Sequence, residues 1–362
     1  MSRQQALARS AAQIDDGALF ATLRRRVALP TESRNPARAE TLRRYLDEEI
    51  RPELEALGFT CMVREHPAAR GPFLLARRDE AAGLPTIFSY GHGDVVGGMD
   101  RDWHEGLSPW TLQERSGAWY GRGVVDNKGQ HTINMAALGA VLRTRGRLGF
   151  NAVYLVEMGE EVGSPGLREV CQENREFLAA DVLIASDGPR VSAARPTIYL
   201  GARGGMSFDL TIEARSGTHH SGNWGGVLSN PGIQLAHAIA TITSPTGQIR
   251  IPQWVPAQLP DSVRAALADC TVDGGPDGPA IDPAWGEPGL TPAEQIFGWC
   301  SFEVTGVPHR QSRRARECGA RVGPGALPAS LRGGHRRAGD PARLAPPSRS
   351  AGLPDGARRA GG

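Results

Sequence analysis

Four short segments carry side chains able to bind a cation or move a proton. His92-Gly93-Asp94 directly follows an apolar run, Thr86–Tyr90. Asp126 closes the glycine-flanked stretch Gly121-Arg122-Gly123-Val124-Val125-Asp126-Asn127-Lys128-Gly129. Glu160-Glu161-Val162-Gly163-Ser164 follows the apolar run Ala152–Glu157, and Asp187-Gly188 follows Val182–Ser186. Successive strand ends thus present His, Asp, Glu-Glu and Asp, an imidazole and carboxylates suited to zinc, cobalt or manganese rather than copper(I) or iron–sulfur. Adjacent carboxylates at a strand end are costly unless a cation or protons neutralise them. Side by side they can divide the labour, one ligating metal while the other takes a proton from activated water. Each segment also has a plainer reading. His-x-Asp can be structural, Asp126 can be a helix N-cap, and Glu160-Glu161 can be a solvated loop pair.

The elements that must position these groups alternate in type. A helical period runs from Arg38 to Leu57, with Ser33 or Asn35 upstream as a cap. Strands are expected at Phe59–Val63, Phe73–Ala76, Thr86–Tyr90, Ala152–Glu157 and Val182–Ser186. Helices are expected at Gly129–Thr144 and Gly166–Leu178. Such alternation predicts an α/β domain, with helices on both faces of a mostly parallel sheet. Ligands at the carboxyl ends of its strands point into the crevice where such sheets bind substrates. Near residue 203 the pattern changes to a strand at Met206–Ala214, a helix at Asn230–Ile242 and a strand at Phe297–Val304, a smaller α+β domain. The division expected is 1–203, 204–304 and a tail, 305–362.

Composition narrows the class. A chain of 362 residues with 40% apolar and 22% charged residues is that of a globular protein with a sizeable core. The first thirty residues hold no apolar run suited to a signal peptide, and no stretch suits a bilayer span, so a cytoplasmic protein away from membranes is expected. Five scattered cysteines without C-x-x-C spacing suggest reduced thiols rather than a disulfide framework or thiolate zinc site. The tail carries twelve arginines against Glu317, Asp340 and Asp355, and lacks Ile, Phe, Tyr, Trp and Met. No helical or strand period survives in it, so disorder is expected. It reads either as a natural basic tail or as GC-rich sequence translated out of frame. Nucleic-acid binding through it ranks last, because no aromatic residue interleaves the arginines.

Together, H-G-D-V-V, G-R-G-V-V-D-N-K-G, E-M-G-E-E-V-G-S and S-D-G resemble the di-zinc amidohydrolase and peptidase family, which includes aminoacylases, acetylornithine deacetylases, carnosinase-like dipeptidases and glutamate carboxypeptidases. The resemblance covers roughly residues 15 to 304. It implies a catalytic α/β domain with a smaller lid domain that mediates dimerisation. His92 and Asp187 would bind one zinc, Asp126 would bridge, and Glu161 would bind a second; cobalt or manganese are alternatives. Glu160 would be the general base acting on a water between the metals, and Asp94 would support His92. The segment Gly217-Thr218-His219-His220-Ser221-Gly222-Asn223-Trp224-Gly225-Gly226 resembles the lid histidine segment of the dipeptidase branch. His220 would then reach across a homodimer to the oxyanion; the alternative is a polar turn between strand and helix. Arg203 matches a common family position, as salt bridge or substrate contact. The reaction implied is hydrolysis of a peptide or amide bond beside a carboxylate-bearing residue, with N-acyl amino acid deacetylation as runner-up. The pattern breaks at the carboxyl end. His309 and His335 follow His237 but lack the strand context of the family's last histidine ligand, which leaves one metal only Asp126 and Glu161. A catalytically impaired remnant is the third reading.

Overall fold

The computed structural model describes residues 3–188, 197–199, 204–215, 219–272, 279–306 and 317–323. The chain forms two compact units, Met1–Pro189 and Arg190–Gly362. Arg203, His309 and His335 lie outside the described residues, as do Gly217 and Thr218 of the segment Gly217–Gly226.

The first unit opens with two helices that the sequence reading did not anticipate, α1 (Arg3–Asp15) and α2 (Ala18–Val27). The first buries no residue; the second buries Leu23, Arg26 and Val27. A helical run follows as α3 (Ala39–Arg44), a π-helical stretch Tyr45–Ile50 and α4 (Arg51–Ala56). Pro52 lacks the N–H that an α-helix would donate to Glu48, which accounts for the altered register there. Asn35 is the upstream cap, its side chain accepting from the Ala37 N–H at 3.1 Å.

The sheet comprises β1 (Thr60–Arg64), β2 (Phe73–Arg78), β3 (Thr86–His92), β6 (Asn151–Glu157) and β7 (Val182–Ala185). A separate hairpin, β4 (Gln113–Arg115) and β5 (Ala118–Tyr120), lies between β3 and α5 (Lys128–Arg145) in the chain. The spatial order is β1-β2-β6-β3-β7. β6 pairs in parallel with β3, and β3 with β7, whereas β2 is antiparallel to both its neighbours. Four of the five strands therefore run one way. The central β6 is buried along its whole length, as a strand covered on both faces must be. One core cluster gathers Leu42, Tyr45, Leu46, Ile50, Leu54, Leu74, Met135, Tyr154 and Val156; the other gathers Phe73, Leu75, Val153, Leu155 and Val170. The two clusters take alternate residues of β2 and β6, the period-2 signature of a sheet between two helical layers. α6 (Leu167–Glu173) is shorter than its periodicity suggested.

The second unit contains β8 (Phe208–Glu213), α7 (Ser221–Trp224), α8 (Pro231–Ile242), α9 (Asp261–Leu267), β9 (Glu303–Gly306) and β10 (Glu317–Gly323). Asn230 caps α8 through the N–H groups of Gly232 and Ile233. Ile242, Ile249, Trp254 and Phe302 form its core, with Phe208 edge-on to Trp254 at 6.1 Å. The expectation of no strand beyond 304 is corrected here: β10 is the middle strand of the order β8-β10-β9, antiparallel to both neighbours. Backbone hydrogen bonds on two edges do not depend on apolar composition, which is why the Arg-rich sequence concealed it. The expected strand Phe297–Val304 is also replaced in its first part by a π-helical turn, Glu294–Gly298.

Candidate metal centre

The ends of β3 and β7 and the turn before α5 bring three ligand-type side chains together. His92 is fully buried, and its Nε2 lies 2.9 Å from Asp126 Oδ1 and 3.7 Å from Asp187 Oδ2. Among the described residues this trio is the one group of three or more His, Cys, Asp or Glu whose ligand atoms all lie within 4.8 Å of one another. Glu160 Oε2 sits 3.9 Å from the same Nε2. The other ring nitrogen is committed: Nδ1 is 3.0 Å from the Asp94 carbonyl and 3.4 Å from its carboxylate. Nε2 is thus the free ligand atom, aimed at carboxylates, and the donor set suits a hard or borderline divalent cation.

Asp94 does more than support His92. Fully buried, it accepts the backbone N–H of Glu160 at 3.1 Å on one oxygen and that of Glu161 at 3.2 Å on the other. It therefore holds the short 3-10 turn Glu160–Val162 against the histidine. From the other side, Ser164 Oγ donates to the buried Glu157 carboxylate at 2.9 Å, and Tyr90 donates to the same oxygen at 2.6 Å. Arg34 donates to the Glu161 carbonyl at 3.1 Å. Glu161's carboxylate is not a member of the compact trio.

The N-cap alternative for Asp126 fails on geometry, since Asn127 occupies the cap position of α5. The glycines of the motif are used as close approaches: a Cβ at Gly129 would fall 1.8 Å from the Val124 carbonyl oxygen. Lys128, also fully buried, donates to the carbonyls of Arg26 and Leu29 at 2.9 and 2.7 Å and faces the Tyr45 ring at 5.1 Å. Burial pulls its pKa down to about 7. It ties the start of α5 to the end of α2.

Burial and neighbouring charges together set the titration of the group. Burial disfavours the charged form of His92, but hydrogen bonds to Asp126 and Asp94 outweigh it and push its pKa up to about 11. The same bond to His92 holds Asp126 below the usual carboxylate range. Burial raises Glu160 to about 7 against the pull of His92, with Asp187 and Glu161 adding repulsion. Glu161 and Asp187 are raised too, first by burial. Crowded carboxylates whose charged forms are disfavoured, as at Glu160, Glu161 and Asp187, are what a cation would relieve.

Residues 88–314 match the family model described as Peptidase family M20/M25/M40. The chain belongs to this family. It is 32% identical over 184 residues to a mouse (Mus musculus) protein named Beta-Ala-His dipeptidase, covering 50% of this chain and 37% of the relative. To a Corynebacterium striatum Cysteinylglycine-S-conjugate dipeptidase it is 34% identical over 197 residues, covering 53% and 41%. The matched region thus spans about two fifths of these relatives' length. The crystal structure of human carnosine dipeptidase 1 superposes with a TM-score of 0.73 at 22% identity, covering 90% of this chain and 72% of that one, which shows a common fold.

His220, expected from the resemblance as a lid histidine, belongs to the second unit. There it is exposed, and its Nδ1 accepts the Gly222 N–H at 3.1 Å at the start of α7. The sequence reading assigned no site role to Asn127, His131 and Tyr45, which form a chain of buried polar contacts ending on the His92 N–H. Asn127 stood inside the quoted motif, but nothing local signalled its contacts.

Proposed function

We propose that this M20 chain catalyses metal-dependent hydrolysis of the peptide bond of a dipeptide or of a peptide's carboxyl-terminal residue. The observation that carries the reading is the trio of His92, Asp126 and Asp187 with Glu160 beside it. The dipeptidase names of the relatives and the His219–Gly226 segment support the choice of substrate. In this reading His92, Asp126 and Asp187 would hold one zinc ion, and Glu161 together with Asp126 would hold a second; cobalt or manganese would fit the same donors. When bound, such a cation polarises the scissile carbonyl and lowers the pKa of water toward neutrality.

The chain's own residues do the rest. Glu160 takes the proton from the attacking water and returns it to the leaving amine. Asp94 fixes both the imidazole that carries Nε2 and the turn that carries Glu160. His220, from a homodimer partner's lid, stabilises the tetrahedral oxyanion. A cytoplasmic setting completes the reading.

The test is a panel of dipeptides and N-acetyl amino acids offered to metal-stripped and zinc-loaded protein, with Glu160→Gln as control. Dipeptide cleavage that needs metal and Glu160 is expected. Cleavage of N-acetyl amino acids alone would replace the reading by the deacetylase one. One bound ion per chain without turnover would identify an impaired relative.

A further inference from the structure

Hydrogen bonds from three segments converge on one side chain that the chemistry above does not use. Asn127 is fully buried at the N-terminus of α5. Its Oδ1 accepts the backbone N–H of His92 at 3.2 Å and lies 3.0 Å from His131 Nδ1. Its Nδ2 donates to the Ser186 carbonyl at 2.7 Å. His92 ends β3, Ser186 precedes Asp187, and Asp126 precedes Asn127 itself. One carboxamide therefore touches or adjoins the segments carrying all three members of the trio.

The β7 side needs such a tie. Among the described residues β7 is an edge strand whose ladder with β3 stops at Tyr90 and Ala185. Ser186 and Asp187 lie past the last rung. Ser186 is held from the α5 side, by Asn127 at the cap position on its carbonyl and by Asn134, whose Nδ2 donates to Ser186 Oγ at 2.9 Å. The two asparagines are seven residues apart, two helical turns, and so share a face.

The amide's orientation is itself dictated. Tyr45 and His131 are fully buried, with the Tyr45 hydroxyl 2.6 Å from His131 Nε2. Burial keeps the phenol protonated and the imidazole neutral. The hydroxyl then donates to Nε2, and the ring proton on Nδ1 faces Asn127 Oδ1. A flipped amide would set its NH2 group against two N–H donors. Gly91 permits the approach, since a Cβ there would lie 2.9 Å from His131 Cβ and 3.0 Å from Asn127 Oδ1.

We propose that Asn127 is the positioning residue of the metal centre, tying the end of β3 to the end of β7 and so setting the separation of His92 Nε2 from Asp187 Oδ2. This rests on reading His92, Asp126 and Asp187 as metal ligands, and adds the group that spaces them.

Cobalt(II) is the probe, titrated into the metal-free full-length chain, with binding read from its visible absorption and from competition with a chelator. Wild-type binding that is lost in His92→Ala establishes the ligand reading. No wild-type uptake, or equal uptake by His92→Ala, sinks that reading and the positioning proposal with it. Given wild-type binding, Asn127→Asp keeps the acceptor facing His92 and replaces the donor facing Ser186 by an oxygen. Its added negative charge alone would tighten cation binding. The positioning role predicts the reverse, binding weaker by about tenfold or more with an altered cobalt spectrum. Equal or tighter binding with an unchanged spectrum overturns the proposal. Asn127→Leu removes both arms without adding charge and should bind more weakly still. If its metal-free melting temperature falls while cobalt affinity stays at the wild-type level, Asn127 serves only the fold and the proposal is wrong.

Discussion

In the metal-free centre a proton occupies the nitrogen that a cation must use. With the His92 pKa pushed up to about 11 by Asp126 and Asp94 against its burial, roughly one imidazole in ten thousand is neutral at pH 7. A metal ion can take Nε2 only from that neutral form, so binding must expel the proton. At pH 7 the expulsion costs about four pK units, on the order of 5 kcal/mol, subtracted from the intrinsic affinity. Glu160, at about 7, is half protonated there and loses its proton when a cation arrives. Apparent zinc or cobalt affinity should therefore rise about tenfold per pH unit from pH 8 to 9, from His92 alone, and more steeply below pH 7. Isothermal calorimetry in two buffers of different ionisation heat counts the protons. His92 should account for about one of them per cation at every pH from 6 to 9, read as the difference between wild type and His92→Ala, and Glu160 for up to one more below pH 7. A flat affinity between pH 6 and 9 would show that Nε2 is not a ligand, as would an unchanged proton count in His92→Ala.

Other expectations follow from the same geometry. Asp94→Ala removes acceptors from two backbone N–H groups and from His92. At about 1.5–3 kcal/mol for a hydrogen bond to a charged group, kcat/KM should fall by about a hundredfold or more; less than threefold would deny Asp94 its organising role. Glu160→Gln should lower kcat by about a hundredfold or more with bound metal unchanged by elemental analysis. The same variant tests linkage in the metal-free chain. Because the folded pKa of Glu160 is raised, its stabilising contribution is full below about pH 4.5 and is lost as pH rises through about 7. Wild type should thus lose melting temperature relative to Glu160→Gln between pH 5 and 8, and a constant difference would contradict the raised pKa. Leu46→Ala, in the core beneath the sheet, should cost about 2–5 kcal/mol in denaturant unfolding while leaving proton release on metal binding intact.

What the sequence made legible was whatever chemistry restricts to few residue types. A ligand must be His, Asp or Glu, and at a strand end it follows an apolar run, so His92, Glu160 and Asp187 stood out beside β3, β6 and β7. The helices α5 and α8 were equally plain, because each carries an apolar period long enough to exclude a strand. Elsewhere the signal was present but outweighed. Thr291 and Glu294 form a reciprocal capping box, with Glu294 accepting the Thr291 N–H at 2.8 Å and Thr291 Oγ1 accepting the Glu294 N–H at 3.2 Å. T-x-x-E marks a helical start, yet the aromatic run from Phe297 favoured a strand. In β10 there was no side-chain signal to find, because its place between β8 and β9 is secured by backbone groups. Asn127 is the instructive case. Its partners His92 and Ser186 lie 35 and 59 residues away in sequence, and an asparagine beside a helix start has an adequate local explanation as a cap. Only the closed sheet turns that local explanation into the wrong one. The carboxamide makes no cap bond, and its acceptor and donor face the His92 N–H and the Ser186 carbonyl, the latter past the last rung of the β3–β7 ladder. Ligand identity is written in residue type, but ligand spacing resides in a group whose sole requirement is to present one donor and one acceptor in the right place.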